Sequence, residues 1–165
     1  MGDIAHTWRQ QFHIPIIAIT GSCGKTTTKT MLANILEQHG HTLSTQGTLN
    51  NEIGAPLTLL RLNNTHQYAV IELGANHSGE IAYTAGLTQP QITLITNIAP
   101  VHLEGFGDLT GVANAKNEIY VALPKNGTAI INHDDAFYDF FADQHHNKRQ
   151  LTFGLQKPST IYATQ

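Results

Sequence analysis

A single cysteine, Cys23, occurs among the 165 residues. One thiol excludes an internal disulfide framework and a cysteine-based zinc site, and it fits a reducing, cytoplasmic setting. Charge is also scarce: Asp, Glu, Lys and Arg together make up 13%, low for a free-standing soluble protein. Positive charge is in the minority, with 9 Lys and Arg against 12 Asp and Glu and a net charge of -3. A dedicated nucleic-acid binder carries a basic excess, so that class is set aside. Long apolar runs are missing too. None approaches the roughly 20 residues of a membrane helix, and the opening MGDIAHTWRQQF lacks the apolar core of a signal peptide.

What is present suffices for one domain. The 41% of hydrophobic residues allow a real core. The ten histidines fall mostly in polar stretches and read as solvated surface. IPIIAIT at 14–20 reads as a buried strand, followed by glycines and a helix from Lys25 to about His39 that carries Met31, Leu32, Ile35 and Leu36 on one side. Gly40 ends it. Further strands are expected at 42–45, 68–73, 91–95, 128–132, 151–153 and 160–163. Helices are expected around Ile53, Leu57 and Leu60, and at 80–87, 111–123 and 135–142. Pro56 is tolerable in the first of these only within the first turn. Strands that alternate with helices, and that are continuous apolar runs, predict an α/β fold: a mostly parallel sheet with helices on both faces. Ligands then gather at the carboxyl ends of the strands, which puts residues 21–26, 72–77, 97–104 and 132–135 on one rim. The last dozen residues open new strands and stop, so the chain reads as the opening portion of a longer, incomplete domain.

The sharpest motif is Thr20-Gly21-Ser22-Cys23-Gly24-Lys25-Thr26-Thr27, between strand and helix. Glycines let the loop bend so that its N–H groups point inward, and the helix N-terminus adds partial positive charge. Lys25 then meets the β- and γ-phosphates and the Thr26 hydroxyl ligates Mg²⁺. The loop is the shorter G-x-x-G-K-T-T, since the position five before Gly24 is Ile19. The alternative is an ordinary Gly-rich turn. Glu72, ending the strand in VIELGANH, is placed to hold Mg²⁺ from the same rim, or else to cap a helix; His77 nearby could be a contact or plain surface. His102, five residues past Asn97, offers an imidazole that can ligate a metal. Lys116 is the anomaly. Val112, Ala115, Ile119 and Leu123 form an apolar face, and Lys116 sits inside that stripe. A buried lysine is partly neutral and nucleophilic; the alternatives are snorkelling outward or pairing with a buried acid. The polar turn Asn50-Asn51-Glu52-Ile53-Gly54-Ala55-Pro56 reads by itself as an N-cap, and Cys23 as a small filler.

TGSCGKTTT, TLNNEIGAPLTLL, ELGANHSGEI, TNIAPVHLEGFG and AKNEIY together resemble the central ATP-binding domain of the Mur ligases, from about residue 8 to residue 135. NNEIGAPLTLL, ELGANHSGEI and HLEGFG favour the D-Ala-D-Ala-adding branch over amino-acid-adding and folylpolyglutamate-synthase-like relatives. The resemblance implies a phosphate-loop fold and an ATP- and Mg²⁺-dependent ligase. It activates a carboxylate of UDP-N-acetylmuramoyl tripeptide as an acyl phosphate, which the amine of D-Ala-D-Ala attacks. It implies catalytic roles for Lys25, Lys116 and His102, and nucleotide contacts from Gly21, Ser22, Cys23, Gly24, Lys25, Thr26, Thr27 and Asn51. It places the metal near Thr26, Glu72, His102 and Lys116, the last as a lysine carbamate. It also implies a monomer, with residues 1–13 the stub of a linker from an N-terminal domain and 14–165 part of the central domain. Another phosphate-loop ATPase is the alternative outside the ligases.

Overall fold

The computed structural model describes residues 1–156 and 158–163. Seven strands build one sheet: β1 (Ile16–Thr20), β2 (Thr42–Ser44), β3 (Tyr68–Glu72), β4 (Ile92–Ile95), β5 (Thr128–Asn132), β6 (Arg149–Gly154) and β7 (Ile161–Tyr162). Their order is β2-β3-β1-β4-β5-β6-β7, and every neighbouring pair is parallel. All five residues of β1 are buried, as a central parallel strand requires. The chain leaves β1 toward β2 on one side and leaves β4 toward β5 on the other. The crevice between the carboxyl ends of β1 and β4 is therefore the topological switch point, where such sheets bind ligands.

Helices cover both faces. On one, Leu32, Ala33 and Leu36 of α2 (Lys25–Glu37) pack on Ile17, Ile19 and Val70. On the other, α4 (Glu80–Thr88) and α6 (Leu109–Val121) place Ile81, Ala85, Ala113, Ile119 and Tyr120 against Ile16, Ala18 and Ile71. Between them in the chain lie α3 (Gly54–Leu59) and α5 (Leu103–Phe106), and α7 (Tyr138–Gln144) follows β5. No helix among the described residues is long and apolar enough to cross a membrane.

Three sequence expectations change, in α2, α3 and α7, and an unexpected helix precedes β1. Residues 1–13 contain a helix, α1 (Gly2–Arg9), whose Ala5 is fully buried. The Trp8 indole donates to the Leu62 carbonyl, and the Arg9 guanidinium caps the carboxyl end of α4 through the carbonyls of Thr88 and Gln89. The apolar side expected for α2 splits: Leu32 and Leu36 pack inward, but Met31 and Ile35 are 62% and 56% exposed. On α3 the expected Ile53 and Leu57 face outward while Ala55, Thr58 and Leu59 are buried, because the helix packs through its small-residue side. Helix α7 also starts later than expected. Asp135 stays outside it, its carboxylate accepting from the N–H groups of Ile98 and Phe137.

Candidate functional site

The loop after β1 is tied to the loop after β4. Ser22 N–H donates to the Asn97 carbonyl, Cys23 N–H to the Asn97 side-chain oxygen, and the Thr96 hydroxyl to the Cys23 carbonyl. The Ser22 hydroxyl donates to the Ala99 carbonyl and accepts from Ala99 N–H. Gly21 (φ +145°) and Gly24 (φ +81°) take the positive φ that this path demands. A Cβ on Gly21 would lie 1.9 Å from the Thr96 hydroxyl oxygen, so the approach of these two loops requires glycine. Lys25 folds back over the loop, its ammonium 2.7 Å from the Gly21 carbonyl and 3.2 Å from that of Ser22. Cys23 is exposed.

One step outward, the Thr26 hydroxyl donates to the Glu72 carboxylate at 2.9 Å. Glu72 is only 1% exposed and also accepts from the Asn50 amide at 2.8 Å, and its own N–H donates to the buried Thr45 hydroxyl. Asn50, which the sequence did not single out from its turn, is the residue that touches the carboxylate. The Asn51 side-chain oxygen accepts from Ile53 and Gly54 N–H at the start of α3, and its amide nitrogen has no partner among the described residues. Adjacent asparagines give spacing no means of choosing between them.

Lys25, Asn50, Asn51, Asn76, His102 and Lys116 line one cavity of about 120 Å³. Lys116 lies on α6 and is 2% exposed; its ammonium stands 5.9 Å from the centre of the Phe106 ring and makes no hydrogen bond or ion pair among the described residues. Burial first, and then the neighbouring Lys25 charge, push its pKa down to about 8, against the opposing pull of Cys23. His102 adopts left-handed backbone (φ +52°) at the start of α5, a conformation that favours glycine and carries strain in histidine. His102 and Asn76 also line a wider outer pocket of about 670 Å³ with His77 and Glu104. His77 pairs with Glu80 at 3.1 Å, and Asn76 N–H donates to the same carboxylate. Burial raises the Glu80 carboxyl, but these hydrogen bonds outweigh it and hold the group below the usual carboxylate range. Thr27 follows Thr26 in the first turn of α2. Besides Asn50, the sequence reading gave no role to Thr96, Asn97, Asn76 and Glu80; the signal for the first three was a position past a strand on the rim, whereas Glu80 lies in the first turn of α4.

No cluster of three His, Cys, Asp or Glu side chains among the described residues forms a ready metal cage. Thr26 and Glu72 offer paired oxygens instead. That donor set fits Mg²⁺, which takes one or two protein oxygens and fills its octahedron with water and phosphate. A larger groove of about 640 Å³ lies by the amino ends of β1 and β4, beside Arg9, Pro15 and Gln91, but the Arg9 guanidinium is already taken up by carbonyls.

A glycine-bent loop at the switch point of a parallel sheet, with a lysine, a threonine and a buried carboxylate, defines a phosphate-loop nucleotide-binding domain. The Mur ligase middle domain family matches residues 19–165, and the chain belongs to that family. It is 58% identical over 134 residues to the UDP-N-acetylmuramoyl-tripeptide–D-alanyl-D-alanine ligase of Escherichia coli (strain K12), an alignment covering 81% of this chain and 30% of that protein. A crystal structure of MurF from Acinetobacter baumannii superposes with a TM-score of 0.95 at 42% identity, over 99% of this chain and 36% of that one. The MurF ligase from Thermotoga maritima in complex with ADP superposes at 0.79 with 29% identity, over 94% and 36%. The chain thus spans about a third of the length of these relatives.

Proposed function

We propose that this chain is the ATP-binding domain of a peptidoglycan-precursor ligase that joins D-Ala-D-Ala to UDP-N-acetylmuramoyl tripeptide. The observation that carries the reading is the single cavity in which the phosphate-loop Lys25 meets Asn51, His102 and the buried Lys116. In the reaction a substrate carboxylate oxygen bonds to the γ-phosphorus of ATP and ADP leaves, giving an acyl phosphate. The D-Ala-D-Ala amine then bonds to the acyl carbon, and phosphate and a proton depart.

Each residue has a physical task. The Lys25 ammonium exchanges its two loop carbonyls for phosphate oxygens, which are charged and bind it more strongly. The N–H groups of Gly24 and Thr27 at the amino end of α2 are the donors offered to the phosphates, while Gly21, Ser22 and Cys23 shape the loop around them, the last two with their N–H groups held by Asn97. The unpartnered Asn51 amide is free to donate to the γ-phosphate. Thr26 and Glu72 would hold Mg²⁺, with His102, which lines the cavity shared by Lys25 and Lys116, as a further ligand, and the bound ion would neutralise charge developing on the transferred phosphoryl group.

Lys116 takes up CO₂: its neutral amine bonds to the carbon, a proton leaves, and a carbamate anion results. Two cations, Lys25 and Lys116, then become an attracting pair, which relieves the repulsion that, after burial, lowers the Lys116 pKa. The ligase is read as cytoplasmic and monomeric, acting on small molecules. Holding both substrates in line supplies much of such a rate, so this chain alone is expected to form no amide. The test is ATP turnover by the full-length ligase. Turnover that requires UDP-N-acetylmuramoyl tripeptide supports the reading; equal hydrolysis without it points to a nucleotide switch instead.

A further inference from the structure

Helix α6 addresses three neighbours with three consecutive residues, because successive side chains on a helix point about 100° apart. Lys116 points into the cavity. Asn117 bonds Gln144 and His145 at the carboxyl end of α7. Glu118 reaches α4, where its two carboxylate oxygens accept from Gly79 N–H at 2.7 Å and Ala82 N–H at 2.8 Å. Helix α4 has no side-chain cap of its own: its N-cap is Gly79 in left-handed backbone. Two of the N–H groups at its start are thus satisfied from another helix, by a negative charge at the positive end of its dipole.

What lies next to this clamp is the site. The first turn of α4 carries Glu80, whose carboxylate holds Asn76 N–H at 2.8 Å and the His77 imidazole at 3.1 Å. The same short segment supplies Gly74, Ala75, Asn76 and Glu80 to the wall of the cavity that Lys116 enters. From the far side it is held by α5, where a Cβ on Gly105 would come within 2.0 Å of the Asn76 carbonyl oxygen.

We propose that Glu118 is a positioning residue: its carboxylate locks the helix bearing Lys116 to the segment bearing Asn76 and Glu80, so that amine and cavity wall keep one register. The functional part rests on the ligase reading above, and Asn117 provides its control. Asn117 anchors α6 as firmly, but its partners line no part of the site.

Two measurements decide it. In this chain, amide hydrogen exchange is compared between the parent and Glu118→Gln, whose amide can accept one N–H but presents its own hydrogens to the other. Exchange should quicken at least about tenfold at Gly79 and Ala82 and also at Asn76, which Glu118 does not touch. Faster exchange confined to Gly79 and Ala82 overturns the coupling. In the full-length ligase, Glu118→Gln should lower kcat at least about tenfold and leave KM for ATP within about twofold. Asn117→Ala, with a comparable loss of Tm, should keep kcat within about twofold. An unchanged kcat for Glu118→Gln, or an equal loss for Asn117→Ala, overturns the proposal. Should Glu118→Gln not fold, Glu118→Asp keeps the charge one methylene further back, and a smaller drop in kcat with the same exchange pattern is expected; no drop overturns it. A parent enzyme that does not ligate sinks the ligase reading alone, and the exchange comparison still decides the clamp.

Discussion

The phosphate loop and the face of α6 that meets it each bring one lysine to the same cavity, on opposite terms. Lys25 is half-buried and satisfied by two carbonyls of its own loop. Lys116 is buried with the Phe106 ring near its ammonium and no hydrogen bond among the described residues, and its pKa falls to about 8. The first is a cation held ready for an anion by residues three and four positions away. The second is a cation that the fold makes costly, which is what a group needs if it is to react as a neutral amine. Local sequence places the first lysine; desolvation by distant residues sets the state of the second.

Replacing each lysine separates the two. The largest effect is expected from Lys116→Ala in the full-length ligase, with kcat lower by about 10²- to 10³-fold, the scale of a lost preorganised charge at a transition state. Acetate should restore part of the rate by filling the vacated anionic position, and Lys116→Arg should not. An arginine variant as fast as the parent would show that no carbamate is needed.

Stability should move the other way. The Lys116 pKa is lowered from 10.5 to about 8, so the folded state binds the proton less well than the unfolded state. The cost is fully present below pH 8 and is relieved as pH rises from about 8 to about 10.5, so stability increases across that window. In CO₂-free buffer Lys116→Met should remove the slope and stabilise the domain by up to about 3 kcal/mol at neutral pH. Denaturant melts at pH 7 and pH 10 that show the same slope in both proteins would place the amine in water.

The loop lysine should affect binding alone. Lys25→Ala is expected to weaken Mg-ATP by about 1.5–3 kcal/mol, the range of a charged hydrogen bond, and to leave adenosine unchanged. Calorimetry showing equal losses for both ligands would move the phosphates elsewhere. A smaller effect tests the loop backbone. Gly21→Ala meets the Thr96 hydroxyl at 1.9 Å at a φ of +145°, so the two loops must part. A cost of about 1–3 kcal/mol is expected in chemical denaturation, with weaker ATP binding; an unchanged protein would mean the stitch to Thr96 is dispensable.

The smallest effect lies on the far side of α6. His145 is buried against Asn117, and burial, followed by the Lys148 charge, lowers its pKa from 6.5. The unfolded chain therefore takes the proton first, and stability should fall as pH drops below about 6.5. His145→Gln should flatten that acid limb, as read from Tm between pH 7 and pH 5.

Much of this was legible in the order of residues. An apolar strand, two glycines, a lysine, two threonines and a helix follow one another within a few positions, and the contacts that define the loop, Lys25 to Gly21 and Ser22, are equally local. The alternation of apolar runs with helical periods likewise fixes a parallel sheet, since such strands must be covered on both sides. Tertiary structure decided the rest. The Thr26–Glu72 bond spans 46 residues, and the loop stitch to Thr96 spans 73. Whether Asn50 or Asn51 meets Glu72, and whether Met31 and Ile35 face core or solvent, depends on which surface each element presents to its neighbours; periodicity names a stripe but not its width. The same holds for α1, whose polar sequence gains its place from one buried alanine and from bonds to α4 and Leu62. An apolar stripe around Lys116 could suggest burial, but its lowered pKa needs both α6 packed onto the domain and Lys25 brought near from 91 positions earlier, because desolvation and Coulomb repulsion act through space and not along the chain.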